Sequence, residues 1–321
     1  MKKFILVISL ILVVSLLSSC ELETGEEEEE QFIFGLGDFA GGTDAIEFSF
    51  ERDSPPETVY SDDSFDIIFE AENLGEYNIQ PNEMKFIVWN LPSSRFDISN
   101  SEIIKYNQQD FMGMLVEDGD ETPGDRREFV IEDDIRPEVD SIPAGGMPFS
   151  VKGGLCFKYM TDSVASLCLV GDDRNPDQVC DPNDDPEIIN SGSPIQVNNF
   201  RQSLSGSRIN FNFMVSHQGS GRFLDNSEDG GDVSCTDKGT RQENMVFLEL
   251  NSPQKDINCG FADEEGPGQI QSGLVSLYNN ERFISCQVEG IDNNLNEVVP
   301  VDINIDFNYY QTIQKDFTLR E

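Results

Sequence analysis

Three acidic loops have residue types and spacings that could bind a divalent cation. In the clearest, oxygen-bearing side chains alternate around a glycine, in the order Asp225, Ser227, Asp229, Gly230 and Asp232. This resembles the first half of a calcium loop, although the twelfth position is Thr236, which lacks the bidentate carboxylate that completes an EF-hand. Weaker versions occur at 118–125 and 181–185. Calcium binding is one reading of these loops, and solvated charge is the other.

His217 is the only histidine, so any histidine-dependent chemistry would have to use it. The chain has no Gly-x-Ser-x-Gly turn to present a nucleophilic serine. It also has no His-Glu-x-x-His motif to bind zinc. A lone histidine just before Gly219-Ser220-Gly221 is most often a turn or surface residue. We therefore expect neither a triad hydrolase nor a zinc protease.

Two further kinds of chemistry leave no motif in a sequence. Paired carboxylates that cleave glycosidic bonds come from distant strands, so a glycan hydrolase would show no motif in this sequence. Aromatic side chains that stack on sugars are a second case, and the candidates are Phe157, Tyr159, Tyr309 and Tyr310. Such residues more often pack in a core or across strands. We predict no individual catalytic residue.

Six cysteines besides Cys20 are candidates for disulfide bonds, namely Cys156, Cys168, Cys180, Cys235, Cys259 and Cys286. An even number in an exported chain favours disulfides. Their wide spacing matches no zinc knuckle, which needs cysteines about two to four residues apart. We expect Cys156–Cys168 across a hairpin and either Cys235–Cys259 or Cys259–Cys286. Cys180 would then bind the remaining partner.

The first twenty residues predict where the chain is located. Lys2 and Lys3 precede an apolar run over 4–17, as in a secretory signal peptide. The residues Leu17-Ser18-Ser19-Cys20 resemble a lipoprotein box, in which the chain is cut before the cysteine and lipid is attached to its thiol. We expect 1–19 to be the signal peptide and Cys20 to hold the protein at the extracytoplasmic face of a cell membrane. A chance cysteine after an ordinary secretory signal is the alternative.

Acidic residues dominate the composition, with 61 Asp and Glu against 21 Lys and Arg and a net charge of −40 at pH 7. This balance excludes nucleic acid as an expected partner, because binding phosphates requires basic surface. The glutamates from Glu26 to Glu30 repel one another and favour an extended chain. We therefore predict that residues 20–43 form an acidic tether that lifts the first domain clear of the membrane.

Apolar and polar residues alternate in many short segments, which is the pattern of half-buried strands. The clearest segments are Ile46–Phe50, Phe65–Ala71, Ile209–Val215 and Val301–Tyr309, and the more uniformly apolar Met84–Trp89 is a further predicted strand. Helical periodicity is scarce, and 26 glycines and 15 prolines supply frequent turns. The sequence therefore predicts an all-β protein.

The spacing of these segments suggests two tandem immunoglobulin-like sandwiches. We place the first sandwich at 44–170 and the second at 194–321, joined by a polar connector at 171–193. Phe149–Tyr159 and Ala165–Val170 are predicted to form a hairpin that turns at 160–164. In that register Cys156 faces Cys168, which is the basis for the disulfide predicted above.

Several segments together resemble uncharacterised surface lipoproteins from small-genome archaea. The shared pattern is Gly41-Gly42-Thr43, a strand, Pro55-Pro56 and a second strand that ends in Asn73-Leu74-Gly75. A stretch beginning Cys156-Phe157-Lys158-Tyr159 is also similar. The Asn-x-Gly ending is typical of CARDB-type adhesion domains, which are immunoglobulin-like sandwiches. The resemblance implies an archaeal origin and this fold, and it supplies no active site.

We expect a lipid-anchored, non-enzymatic cell-surface protein with a binding, adhesion or envelope-scaffold role. Its partners would be the membrane, through lipid at Cys20, together with envelope proteins or glycans. No cofactor is expected apart from calcium at the loop described above. A surface glycan hydrolase is the alternative. A solute-binding lipoprotein is a third reading, but it would need helical lobes for which the sequence offers few segments.

Overall fold

A computed structural model describes residues 39–99, 102–117, 119–171, 177–225, 235, 243–263 and 266–321. In these ranges the regular secondary structure is β-strand, without any helix. The described ranges accordingly contain no helix of the length and apolar character needed to cross a membrane. The all-β prediction is confirmed, because the period-two alternation that suggested it continues through most of the strands.

The strands are numbered in chain order. They are β1 Ile46–Phe50, β2 Thr58–Tyr60, β3 Phe65–Asn73, β4 Met84–Trp89, β5 Glu102–Tyr106, β6 Leu115–Glu117, β7 Asp120–Thr122, β8 Arg126–Ile135, β9 Met147–Val170, β10 Ile188–Asn190, β11 Ile195–Ser205, β12 Arg208–His217, β13 Arg222–Leu224, β14 Met245–Asn251, β15 Ile257–Cys259, β16 Ile270–Ser276, β17 Glu281–Glu289 and β18 Asn296–Arg320.

One large sheet organises the others. Its main path runs β16-β14-β18-β9-β4-β5, with β10 added to β9 and with β13 and β2 added to β18. A three-stranded sheet has the order β1-β3-β8, and a four-stranded sheet has the order β11-β12-β17-β15. The strands β6 and β7 form a separate ribbon.

The two longest strands form the axis of the large sheet. They are antiparallel, from Met147 opposite Leu319 to Val170 opposite Asn296. The predicted turn at 160–164 is wrong, because β9 continues straight through it. Polar residues there are buried but satisfied: Thr161 donates a 2.7 Å hydrogen bond to the carbonyl of Ile195, and Ser163 donates one of 2.7 Å to Asn190. The polar residues at 160–164 that predict a turn therefore belong to a largely buried strand.

Because β9 is one continuous strand, the disulfide pairing differs from the predicted one. Cys156 and Cys168 lie on the same extended strand, about 40 Å apart at the usual rise per residue, which is far beyond disulfide reach. The observed bonds are Cys156–Cys235, Cys168–Cys180 and Cys259–Cys286. The Cys156–Cys168 prediction is wrong, and Cys180 pairs within its own region. Of the two alternatives for the second half, Cys259–Cys286 is confirmed.

The core lies between the large sheet and the two smaller sheets. Phe69 of β3 stacks on Phe86 of β4 with ring centroids 6.0 Å apart, which joins the three-stranded sheet to the large one. Towards the other end, the ring of His217 on β12 lies 5.7 Å from that of Tyr309 on β18. Both contacts belong to layers of side chains between facing sheets, as in a sandwich.

The tandem immunoglobulin-like arrangement is not confirmed. Residues Gly35–Glu321 form one compact unit. The large sheet takes β4, β5 and β9 from the first predicted domain and β14, β16 and β18 from the second. The predicted connector at 171–193 also contains β10, which pairs with β9. The local pattern that predicts the strands contains no information on which distant strands pair, so it does not indicate that strands from both halves share one sheet.

Candidate binding groove along the last strand

Two of the predicted sites fall largely or wholly outside the described residues. Cys20, the predicted lipid attachment site, is one of them. In the calcium loop, Ser227, Asp229 and Asp232 also lie outside, while Asp225 is described and buried. In the described part of the chain, no group of three or more His, Cys, Asp or Glu residues is placed to hold a metal ion. The calcium prediction therefore stays a prediction.

His217 lies at the end of β12 and is half-buried rather than on the surface. Its Nε2 is 3.0 Å from the Tyr309 hydroxyl oxygen, which also accepts a 2.7 Å hydrogen bond from the Gly221 amide. Burial lowers the pKa of His217 below its ordinary value, so the ring is neutral at pH 7. These contacts hold the turn at 219–221 against β18, which is a structural role.

The last strand has an open stretch of edge. On the side away from β9, β13 pairs with β18 up to Tyr310, and β2 pairs with it from Thr318 onwards. No described strand pairs with residues 311–317 on that side. The strand β1 is likewise the outermost strand of its own sheet. Unpaired edges keep backbone donors and acceptors that can bind an external partner.

A cleft of about 610 Å³ lies between these two edges. Residues 43–48 line one side, residues 309–313 line the other, and the turn at 219–222 contributes to the wall. Further along β18, the Lys315 ammonium donates hydrogen bonds of 2.9 Å and 2.7 Å to the carbonyls of Glu51 and Arg52. The two elements are thus fastened together beyond the cleft, which holds its walls in place.

A second cavity of about 310 Å³ adjoins the first. The two share Tyr310, Thr312 and Ile313, and the second is completed by Trp89, Lys152 and Gln314. We call the two cavities together the β18 groove. Its residues come from β1, β4, β9 and β18 and from the turn before β13, so the groove exists only once the sheets have assembled.

Trp89 and Tyr310 both approach the backbone of β9 at Gly154. A methyl group added to Gly154 would lie 2.9 Å from Cζ3 of Trp89 and 2.8 Å from the Tyr310 hydroxyl, so the absence of a side chain lets both rings lean inward. The guanidinium of Arg222 lies 4.9 Å from the centroid of the Tyr310 ring. This cation–π contact fixes the tyrosine on one side.

The sequence identified only part of this site. Of the four aromatic residues predicted as sugar contacts, Phe157, Tyr159 and Tyr309 are buried in the core, and Tyr310 alone is partly exposed. Trp89, Lys152 and Gln314 carried no signal of their own. They become neighbours through the register in which Trp89 faces Lys152 and Lys152 faces Gln314. Only knowledge of those strand pairings would have found them.

Carboxylates cluster elsewhere on the same face of the large sheet. Asp162 on β9 faces Asn304 on β18, which places it between Asp302 and Asp306. Burial raises the pKa of all three carboxyl groups. The charges of Asp306, Glu76 and Asp302 raise that of Asp162 further, while Lys158 opposes the rise at Asp306. Asp306 lies eight residues before Gln314, or about 26 Å along the strand, so this cluster is separate from the Trp89 cavity.

Replacing Asp306 with asparagine is expected to stabilise the fold at pH 7. Its pKa is raised on folding, so the stability linked to this carboxyl is fully present below its ordinary pKa and is lost as the pH rises through the folded value. We expect Asp306→Asn to raise Tm by about 1–3 °C at pH 7 and to change it little near pH 4, by calorimetry. Asp62→Asn, at an exposed position, is the control. An equal shift at both pH values would contradict the assignment.

Comparisons with known proteins give no family. No protein-family profile matches the chain, and no curated protein matches it. Among solved structures it is similar to the Fcho1 Mu homology domain of Danio rerio with a bound Eps15 peptide, at 8% identity and a TM-score of 0.20 over 54% of this chain and 87% of that one. A likeness at that TM-score carries no argument about fold or function. The resemblance to archaeal surface lipoproteins stays a prediction.

Proposed function

We propose that this chain is a lipid-anchored cell-surface protein that binds another surface component and does not catalyse a reaction. Lipid at Cys20 would hold it at the extracytoplasmic face of the membrane, and the β18 groove would be its binding site. The observation that carries the proposal is the groove itself, in which two aromatic side chains and two strand edges that no described strand covers line adjoining cavities.

The rigidity of the groove supports a binding role. Its floor is β18, which is paired with β9 from Asn296 to Leu319. Trp89 sits at the end of β4 and Lys152 sits on β9, so both belong to the same sheet. A site on paired strands is largely preformed, and ligand binding then loses little free energy to ordering.

Three disulfides support an exported location. The bonds Cys156–Cys235, Cys168–Cys180 and Cys259–Cys286 are of a kind that persists in oxidising compartments and is rare in reducing ones. The apolar segment 4–17 followed by Cys20 supports the same location from the sequence. Together they favour a partner that is itself outside the cell, either an envelope protein or a glycan.

Crosslinking in intact cells tests the binding role. A photoreactive amino acid would replace Thr312, an exposed residue that lines both cavities. The same substitution at Thr122, exposed on β7, is the matched control. We expect a recurrent adduct at 312 that is absent at 122. Cys20→Ser should also move the protein from the membrane to the soluble fraction. Equal labelling at both positions, or a Cys20→Ser protein that stays with membranes, would contradict the proposal.

A surface glycan hydrolase is the second candidate, and one observation favours it. Asp162 and Asp306 are diagonal neighbours on paired strands, which places their backbones about 7–8 Å apart, and both have raised pKa values. Inverting glycosidases hold their two carboxyl groups about 6.5–9.5 Å apart, a span that side chains at diagonal positions on one sheet face can reach. We would expect the protein to release reducing ends from a polysaccharide and Asp162→Asn to abolish that activity. An inactive wild-type protein would eliminate this candidate.

A further inference from the structure

Trp89 is the only tryptophan of the chain, and its ring belongs to the outer side of the large sheet. Along β4, Phe86 and Val88 are buried in the core, so Trp89 projects with Lys85 and Ile87 to the opposite face. It is half-buried at the end of its strand and lines the 310 Å³ cavity. A large aromatic ring that lines an open cavity offers a flat apolar surface to a ligand.

Polar residues of three kinds share the cavity with that ring. They are Thr312, Lys152 and Gln314, whose side chains carry a hydroxyl, an ammonium and a carboxamide group, and Tyr310 and Ile313 complete the lining. The Gln314 amide donates a 3.1 Å hydrogen bond to Asp316, which orients its carbonyl oxygen as an acceptor. None of the six described lining residues carries a carboxylate, although the chain as a whole carries a net charge of −40. The cavity thus combines donors and acceptors with an aromatic surface.

The aromatic surface continues onto β5. Ile104 faces Ile87, and Tyr106 faces Lys85, in the register of β4 and β5. Their exposed fractions are 43% for Ile104 and 37% for Tyr106. The Lys85 ammonium lies 5.9 Å from the centroid of the Tyr106 ring. Lys85 and Ile87 are themselves buried, and the exposed Glu102 faces Trp89, so the exposed face beside the cavity presents Ile104, Tyr106 and one carboxylate.

We propose that the Trp89 end of the β18 groove binds an oligosaccharide. This inference rests on the proposed binding function and names its ligand class. A sugar ring has apolar C–H faces that stack on an aromatic ring and hydroxyls at its rim that exchange hydrogen bonds with hydroxyl, amide and ammonium groups. The Trp89 cavity supplies all of these. Its volume is near the lower end of the range for ligand pockets, about 300–1,000 Å³, so it fits a short length of a glycan whose remainder follows the groove.

Because Trp89 is the only tryptophan, its fluorescence reports on this site alone. The full mature chain, in a detergent without a sugar headgroup, would be titrated with cellohexaose, chitohexaose, maltohexaose and mannohexaose. We expect at least one of them to shift the tryptophan emission saturably, with a Kd between micromolar and millimolar. If all four leave the emission and the calorimetric heat unchanged, the inference is overturned.

The sugar affinities of single-residue variants then test whether binding occurs at Trp89. By calorimetry, Trp89→Ala is expected to weaken the affinity about tenfold or more, as for an aromatic anchor, and Lys152→Ala a few-fold. Phe283→Ala, at an exposed ring on β17, should leave it unchanged. Equal affinity in Trp89→Ala and wild type would overturn the inference. A polypeptide adduct at position 312 in cells, without any binding of sugars, would also overturn it while leaving the proposed binding function intact.

Discussion

A Cys156→Ser/Cys235→Ser variant is expected to lose about 4.5 kcal/mol of unfolding free energy, the largest loss among the three disulfides. The reason is the length of chain that each bond closes, since a longer loop removes more entropy from the unfolded state. The sequence separation is 79 for Cys156–Cys235, 27 for Cys259–Cys286 and 12 for Cys168–Cys180. The same relation gives about 3.5 and 2.8 kcal/mol for the latter two.

The environment of Cys156–Cys235 adds to this effect. Both cysteines are buried, and they pack with Leu224 and Tyr310 on the outer face of the large sheet. Serine hydroxyls at these buried, apolar positions would lose their hydrogen bonds with water, which costs more free energy than burying sulfur. Urea unfolding of the three double variants, without reductant, would measure the order. A Cys168→Ser/Cys180→Ser variant as unstable as Cys156→Ser/Cys235→Ser would contradict it.

The Cys156–Cys235 bond also separates what the sequence predicts from what it does not. The alternation of apolar residues predicted Ile46–Phe50 as a strand, and β1 has those bounds. It also placed the strand Ile209–Val215 inside β12. Each of these predictions needs only neighbouring residues, because side-chain direction alternates along a strand. Disulfide partners and sheet order depend on which distant strands pair, and a period of two is the same for every candidate partner.

The groove illustrates the same limit. Trp89, Lys152 and Gln314 lie far apart in the sequence and meet only in the register of three paired strands. None of the three belongs to a recognisable motif, so the sequence alone does not predict them as site residues. The sequence indicates two members of the acidic cluster, because Asp302 and Asp306 fall on one face of the predicted strand Val301–Tyr309. Asp162 cannot be added to it from the sequence, because the polar residues at 160–164 predict a turn rather than the strand that the structure has there.

Gly75→Ala is expected to destabilise the fold by about 3 kcal/mol, through overpacking at a buried junction. An added methyl group would collide with the Tyr159 hydroxyl and the Gly192 carbonyl, and it would lie 2.9 Å from the Asp44 carbonyl. These are backbone and core groups, which cannot move aside cheaply. The end of β3, the start of β1 and the segment before β11 therefore meet at a position where only glycine fits. This gives the Asn73-Leu74-Gly75 ending a physical reason that does not depend on family resemblance.

Gly260→Ala is the matched control, because a methyl group there meets nothing within 4 Å. We expect that variant to change stability by less than about 1 kcal/mol. Adding Tyr159→Phe to Gly75→Ala should recover part of the loss, since it removes one of the colliding atoms and leaves the two carbonyls. A double-mutant cycle by urea unfolding measures that coupling. A Gly75→Ala protein as stable as Gly260→Ala would show that the junction has room for a side chain, and the close approach of these three segments would then be wrong.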